Sequence, residues 1–375
     1  MKNTNRRLLS SLAGPGLLLW AGSAAAGFDR LNMTPGVTPN SHAVYGLHMT
    51  VLWICVAIGV VVFGAMFYSI INHRKSKGAV AAKFHESTTV EILWTIIPFL
   101  ILIAVAIPAT KTLISMEDTS DSDLTIKVTG YQWKWKYDYL DTGISFFSVL
   151  STPRDQITDQ QPKGDHYLLE VDNPVVVPIN KKIRFLTTAE DVIHAWWVPA
   201  LGFKKDAIPG FINESWALIE QPGVYRGQCA ELCGKDHGFM PIVVVAKAED
   251  EYQQWVAEQK GAMAAAAAAS GKTWSKDELM ARGKEVYDTS CAACHQANGQ
   301  GLPPVFPALA GSAIATGPVE GHLHIVIHGK EGTAMQAFGK QFNDADLAAV
   351  ITYERNAFGN STGDMVQPSD IAAAR

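Results

Sequence analysis

Two long apolar stretches restrict the fold of this chain more than any other feature. Residues 49–71 and 90–109 each match the roughly 20 residues that a helix needs to cross a bilayer. A lipid-facing backbone must satisfy its own hydrogen bonds, so both stretches are predicted to be helical. Pro98 interrupts the second stretch, which neighbouring helices or a local adjustment can accommodate. We predict a two-helix transmembrane hairpin over residues 40–112.

The loop between these stretches is basic, and this predicts the orientation of the hairpin. It contains His73, Arg74, Lys75, Lys77 and Lys83. Short loops rich in Lys and Arg stay in the cytoplasm. The chain after residue 109 is therefore expected on the other face, in the periplasm if the membrane is a Gram-negative inner membrane.

The first residues have the pattern of a secretory signal. Lys2, Arg6 and Arg7 precede an apolar run at residues 8–20, and small residues follow at 24–26. We predict a signal peptide over residues 1–26, with a short membrane anchor as the alternative. The net charge of −5 argues against a nucleic-acid partner.

Short β-rich runs follow the hairpin. They lie at residues 124–128, 167–171, 182–186 and 241–245, and turn residues separate them. This pattern favours a small β-sandwich or barrel, which we place at residues 120–248.

Four residues within twelve positions of this β region have the side chains of a copper site: Cys229, Cys233, His237 and Met240. Two thiolates, an imidazole and a thioether favour copper over a closed structural zinc site. A disulfide is the alternative in an oxidising compartment. It would leave His237 and Met240 without a role.

The second cysteine indicates a binuclear centre. A mononuclear blue-copper site needs one cysteine, whereas two thiolates four residues apart can bridge two coppers. Each copper then needs one histidine, and His237 and His194 are the candidates. The Met240 sulfur and the Glu231 carbonyl oxygen are predicted as weak axial ligands.

A c-type haem signature lies farther along, where Cys291, Cys294 and His295 form a Cys-x-x-Cys-His motif. The two thiols would bond the porphyrin, and His295 would be the proximal iron ligand. Met335, in a Gly-rich loop, is the preferred distal ligand because a sulfur ligand raises the potential. The alternatives are His322, His324 and His328.

The haem signature lies in a predicted helical domain at residues 274–360. A helix is expected over 275–287, because Ser275 and Glu278 fit a capping box, and another over 344–354. In between, Pro303 or Pro304 is expected to offer a carbonyl to His295. An Ala-rich linker, 249–273, precedes this domain, and a tail, 361–375, follows it.

Several motifs together resemble subunit II of the haem-copper cytochrome c oxidases, with a cytochrome c domain fused at the C-terminus. They are the copper-ligand spacing, Tyr131-Gln132-Trp133-Lys134-Trp135, Asp-Ala-Ile-Pro-Gly at 206–210 and Glu-Ile-Leu-Trp-Thr-Ile-Ile-Pro at 91–98. The resemblance covers residues 40 to 360. It implies a multidomain membrane protein with a two-helix transmembrane hairpin, a cupredoxin-like β-sandwich and an all-α class I cytochrome c domain.

The resemblance also implies roles for single residues. The Glu231 side chain would help bind a magnesium ion shared with subunit I, and Trp133 would be the point of electron entry, although Trp133 and Trp135 also suit packing against a sheet. Glu91 would mark the mouth of a proton path into subunit I. The alternative for Glu91 is a capping box with Thr88.

The implied activity is that of cytochrome c oxidase, with this chain as its electron-input subunit. Electrons would pass from cytochrome c or another donor through haem c and binuclear copper to subunit I, which reduces oxygen to water. Subunits I and III are the expected partners. Two alternatives remain: the equivalent subunit of a copper-containing nitric oxide reductase, and a non-enzymatic copper delivery or sensing protein.

Overall fold

The computed structural model describes residues 31–375, so the predicted signal peptide at 1–26 lies outside the described residues. The described chain divides into two compact units, with the boundary between residues 252 and 253. The first unit holds the apolar hairpin and the β domain, and the second holds the haem signature.

Two long helices form the hairpin, α1 (Pro39–Asn72) and α2 (Thr88–Glu117). Both are apolar and long enough to cross a membrane. Each extends beyond its predicted apolar stretch. Helix α1 begins early because Thr38 forms a capping box with Ser41 and Pro39 occupies the first turn.

The ends of both helices are hydrogen-bonded to the β domain. The Thr38 hydroxyl donates to the Leu201 carbonyl over 2.9 Å. The Trp216 indole, on the β domain, donates to the Ser115 carbonyl in the last turn of α2 over 3.1 Å. The Lys205 amine lies 3.1 Å from the Glu117 carboxylate. These contacts explain why both helices continue past their apolar stretches.

Ten strands build the β domain as two five-stranded sheets. The strands are β1 (Leu124–Tyr131), β2 (Lys134–Tyr139), β3 (Ser145–Ser148), β4 (Val175–Pro178), β5 (Lys182–Ala189), β6 (His194–Val198), β7 (Phe203–Ala207), β8 (Asn213–Leu218), β9 (Gly223–Cys229) and β10 (Pro241–Lys247). One sheet has the order β3-β2-β1-β5-β8 and the other β4-β10-β9-β6-β7. Alternating buried side chains such as Ile126, Phe185 and Trp196 form the core, as expected of a sandwich. The predicted β-sandwich is confirmed.

One predicted strand, 167–171, is wrong. This segment follows a one-turn helix, α3 (Arg154–Ile157), and Leu168 has φ +60°, in the left-handed region that a strand cannot contain. The Leu169 amide donates to the His166 carbonyl over 2.9 Å, which makes a turn. Within this segment, Val171 alone forms a β-bridge, and its partner is Leu150.

The remaining elements are helices. They are α4 (Glu249–Ser270), α5 (Lys276–Ser290), α6 (Ala292–His295), α7 (Ala313–Thr316), α8 (Val319–His328), α9 (Asp344–Asn356) and α10 (Pro368–Ala374). The capping box of Ser275 and Glu278 is present at the start of α5. Helix α4 takes up most of the predicted linker, because alanine has the highest helix propensity.

Candidate metal centre and haem attachment site

Sheet pairing brings the predicted copper ligands together. Cys229 ends β9, Met240 directly precedes β10, and His194 opens β6. Strand β9 pairs with both β10 and β6, so the ends of all three strands meet. The Ala230 amide donates to the Ala195 carbonyl over 3.0 Å, and the Cys229 amide donates to the Met240 carbonyl over 3.3 Å. These bonds close the 229–240 loop onto the sheet.

The donor atoms of this loop and of His194 converge on one cluster, which is buried except for the half-buried His237. The Sγ atoms of Cys229 and Cys233 are 3.8 Å apart. His194 Nδ1 lies 3.9 Å from Cys229 Sγ, and His237 Nδ1 lies 3.4 Å from Cys233 Sγ. Met240 Sδ lies 3.5 Å from Cys233 Sγ.

These distances suit shared metal ions and exclude a disulfide in this structure. A disulfide holds its sulfurs about 2.05 Å apart. Two thiolates at about 2.3 Å from one ion can be separated by at most about 4.6 Å, so the 3.8 Å gap fits a pair of bridging ligands. The Glu231 carbonyl oxygen lies 3.4 Å from Cys229 Sγ, on the same cluster, and the residue itself is exposed.

The two thiols of the cluster differ in acidity. The hydrogen bond from Cys233, followed by that from His194, holds the pKa of the Cys229 thiol well below its usual range, although burial opposes this. The same thiolate, together with burial, raises the pKa of Cys233. Burial lowers the pKa of His194, but its hydrogen bonds with Asp191 and Cys229 offset this and raise it overall. Metal ions that bind both sulfurs must therefore displace the proton of Cys233.

Two residues that were not predicted as part of the site fix the ring of His194. The Asp191 carboxylate lies 2.9 Å from His194 Nε2, so Nδ1 is the nitrogen that faces Cys229. Gly130 lies against the ring: a Cβ built there would be 2.7 Å from His194 Cδ2. A carboxylate three residues before a candidate ligand is the signal in the sequence that could have identified Asp191.

Trp133 is directly connected to the cluster. Its indole nitrogen donates to the Cys233 carbonyl over 3.2 Å, and the Gln132 amide donates to the same oxygen over 2.8 Å. Trp133 is half-buried, whereas Trp135 is fully buried beside His194. Gly234 has φ +118°, and a Cβ there would lie 3.1 Å from the Trp133 ring, so glycine permits this close approach.

The haem signature lies on a single short turn. Cys291 caps the end of α5, and α6 ends at His295, whose amide donates to the Cys291 carbonyl over 2.9 Å. His295 Nδ1 lies 2.9 Å from the Pro307 carbonyl, which leaves Nε2 for iron. The expected carbonyl from Pro303 or Pro304 is therefore wrong: Pro307 supplies it, because the loop folds back after those residues.

The candidate distal ligands differ in their surroundings. Met335 is half-buried against the core of the helical unit. His322 is buried, with Nε2 2.9 Å from the Glu354 carboxylate, so a hydrogen bond already occupies this nitrogen. His324 and His328 are exposed on α8. Met335 stays the predicted ligand.

Glu91 lies exposed in the first turn of α2. The predicted capping box with Thr88 is wrong, because the helix begins one residue earlier than expected: Ser87 is the N-cap, without a side-chain capping bond. Thr88 is thus inside the helix. Glu91 remains an acidic residue in the first turn, and its role in proton entry stays a prediction.

Comparison with known proteins identifies related families for three segments. Residues 124–247 match the family model "Cytochrome C oxidase subunit II, periplasmic domain", and residues 26–112 match "Cytochrome C oxidase subunit II, transmembrane domain". Residues 278–353 match "Cytochrome C oxidase, cbb3-type, subunit III".

Individual proteins similar to this chain are named as subunit 2 of cytochrome c oxidase. The chain is 42% identical over 232 residues to the "Probable cytochrome c oxidase subunit 2" of Rickettsia bellii (strain RML369-C), covering 61% of this chain and 84% of the relative. It is 35% identical over 240 residues to "Cytochrome c oxidase subunit 2" of Cereibacter sphaeroides, covering 60% and 79%. The crystal structure of the periplasmic domain of subunit II of cytochrome oxidase (CoxB) of Bradyrhizobium japonicum is 47% identical, with a TM-score of 0.34, covering 38% of this chain and 97% of that one.

Proposed function

Because the chain belongs to the cytochrome c oxidase subunit II family, we propose that it is the electron-input subunit of a membrane-bound haem-copper oxidase that oxidises cytochrome c or another donor. Oxygen reduction to water is assigned to subunit I of the complex. The observation that carries the proposal is the convergence of two thiols, two imidazoles and a thioether in one cluster, in which only His237 is partly exposed.

Six residues would hold two copper ions: His194, Cys229, Glu231 (through its carbonyl), Cys233, His237 and Met240. Cys291, Cys294, His295 and Met335 would hold a covalent haem c. When bound, these groups supply one-electron storage at potentials that the protein ligands tune. The fused cytochrome domain supports a role in electron input rather than in copper storage alone.

The protein residues around the cluster limit its movement and exclude water. Cys229, Cys233 and Met240 are buried, so water does not contact the thiolates freely. Little water then has to rearrange around the site when it gains or loses an electron. Asp191 and Gly130 hold the His194 ring in place. The Trp133 side chain is half-exposed and is hydrogen-bonded to the backbone of Cys233. This short connection from the surface to the cluster supports its proposed role in electron entry.

Further parts of the proposal concern the neighbours of the chain. The exposed Glu231 side chain is proposed to bind magnesium together with subunit I, and subunit III is proposed as a further partner. The basic loop at 73–83 supports an inner-membrane orientation with the copper and haem units in the periplasm. Glu91, at the opposite end of α2 from the β domain, is proposed to mark proton entry.

Copper analysis and catalysis of the purified complex test this proposal. We expect two coppers per chain, loss of their mixed-valence spectrum in Cys229→Ser and Cys233→Ser, and a shifted potential with copper retained in Met240→Leu. Cys55→Ser, at an exposed position within α1, is the control and should keep both coppers. A single copper in the wild-type chain would contradict the binuclear assignment.

Substrate consumption separates the alternatives. The complex should take up oxygen with reduced cytochrome c. Consumption of nitric oxide without oxygen uptake would favour the reductase. A copper site without redox activity in the loaded complex would favour a delivery or sensing protein.

A further inference from the structure

Helix α8 carries a pair of histidines to which the proposed function gives no role. His324 and His328 are four residues apart, and their ring centroids lie 4.8 Å from each other. Both are exposed, whereas Leu323, Val326 and Ile327 face the core of the helical unit. Residues at i and i+4 lie one above the other on a helix, so the two rings project from the same surface. We call His324 and His328 the α8 histidine pair.

We propose that the α8 histidine pair binds one divalent transition-metal ion, with Cu²⁺ or Zn²⁺ as the ligand class. Imidazole nitrogens are good donors for both ions. Two nitrogens at about 2.1 Å from one ion are at most about 4.2 Å apart. Rings with centroids separated by 4.8 Å reach this spacing by rotating about their side-chain bonds, without any change in the helix.

The surroundings of the pair favour a cation. His328 lies in the last turn of α8, where the helix dipole places partial negative charge on the terminal carbonyls. Glu320 is exposed one turn before His324, so Glu320, His324 and His328 share one face at four-residue spacing. Within residues 31–375, neither ring of the pair forms a hydrogen bond that metal binding would have to break.

A bound ion would stabilise the loop that carries Met335. The end of α8 anchors this loop: the Phe338 amide donates to the Val326 carbonyl and the Gly339 amide to the Ile327 carbonyl, each over 2.9 Å. An ion that bridges His324 and His328 links the last two turns of the helix and therefore opposes its fraying. The expected result is metal-dependent stability of the helical unit, by ordinary ligand linkage.

Zinc titration of the intact complex, with copper and haem in place, tests the site. Wild type is compared with His324→Asn and His328→Asn, and His166→Asn, at a lone exposed histidine of the β domain, is the matched control. We expect one Zn²⁺ site per chain to weaken at least tenfold in each α8 variant and to be unchanged in the control. Cu²⁺ should bind more tightly than Zn²⁺.

Thermal unfolding of the helical unit, followed by haem absorbance, gives a second readout. Zn²⁺ should raise the melting temperature of wild type and of His166→Asn but not of the α8 variants. Equal melting temperatures without zinc would show that the variants are folded. The proposal is overturned if all four proteins bind Zn²⁺ with the same stoichiometry and affinity. It is also overturned if either α8 substitution changes the haem spectrum before metal is added, because that result would make the histidine an iron ligand.

Discussion

The position of the His194 ring depends on the absence of a single carbon atom at Gly130. A Cβ at residue 130 would meet His194 Cδ2 at 2.7 Å and His194 Cγ at 2.9 Å. Contacts this short cannot form without movement of one group. On the other side of the ring, Asp191 holds Nε2 at 2.9 Å. The ring is therefore confined on two sides, as in metal sites whose ligands are oriented by neighbouring groups.

We expect Gly130→Ala to displace the His194 imidazole and to disturb the copper centre while the sandwich remains folded. The change should alter the electron paramagnetic resonance spectrum or reduce copper content by more than half. Gly164→Ala is the control, because the nearest atom to its Cβ would be 3.8 Å away. An unchanged spectrum and copper content in Gly130→Ala would show that the ring does not depend on this contact.

At Glu91 we expect a functional effect without a structural one. Since Ser87 rather than Thr88 caps α2, and no side-chain capping bond forms there, Glu91→Gln should leave helix formation intact. If Glu91 passes protons to subunit I, turnover of the complex should fall several-fold, as measured by oxygen uptake. Glu86→Gln, in the neighbouring exposed loop, serves as the control. Normal turnover in the Glu91 variant would remove it from the proton path.

At the scale of elements, the helical unit depends on the close crossing of α5 and α9. A Cβ at Gly283 would lie 2.1 Å from the Ala349 carbonyl oxygen and 2.6 Å from Tyr353 Cβ. The two helices therefore touch through backbone atoms at this point. Buried residues on both helices, including Leu279, Val286 and Leu347, pack around the crossing. Overpacking at such a contact forces the backbones apart.

Gly283→Ala should destabilise the helical unit by roughly 1–3 kcal/mol, the usual cost of overpacking a core. Chemical denaturation followed by haem absorbance measures this. Gly321→Ala, at a position of α8 where no atom lies within 4 Å of the added Cβ, is the matched control. It should be neutral or slightly stabilising, because alanine favours helix more than glycine. Equal stability of the two variants would contradict the tight crossing.

At the scale of the whole molecule, the question is why a haem unit is fused to a copper unit. Helix α4 has 22 residues and, at 1.5 Å per residue, is about 33 Å long. It passes through the boundary between the two compact units at residues 252 and 253. A covalent connection keeps the fused donor at an effective concentration on the order of millimolar, so its electron transfer needs no diffusional encounter.

Truncation at Gly261 should leave copper assembly intact but slow oxidation of the external donor. The first unit ends at residue 252 with its own core, so its fold should survive. Added soluble cytochrome c should partly restore turnover, with strong salt dependence because this encounter is steered by charge. Oxygen uptake with the native donor is the measurement. A full rate without added cytochrome would mean that electrons enter directly at Trp133.

The sequence by itself determined the features that depend on residue type and local spacing. Apolar length predicted α1 and α2, short β-rich runs separated by turn residues predicted a β domain, and the Cys-x-x-Cys-His motif predicted haem attachment. The side-chain types of Cys229, Cys233, His237 and Met240 predicted a copper site, because ligand chemistry depends on side-chain type. Their spacing also selected the family.

Only the tertiary structure decided features that depend on contacts between distant segments. It brought Asp191 and Gly130 onto His194, and Pro307 onto His295. It also turned residues 167–171 away from a strand, through the left-handed Leu168. Local periodicity cannot determine such contacts, because they arise when sheets and loops pack and each buried polar group must find a partner. The sequence thus names the donors, and the packing of the sandwich decides which nitrogen of His194 faces the thiolates.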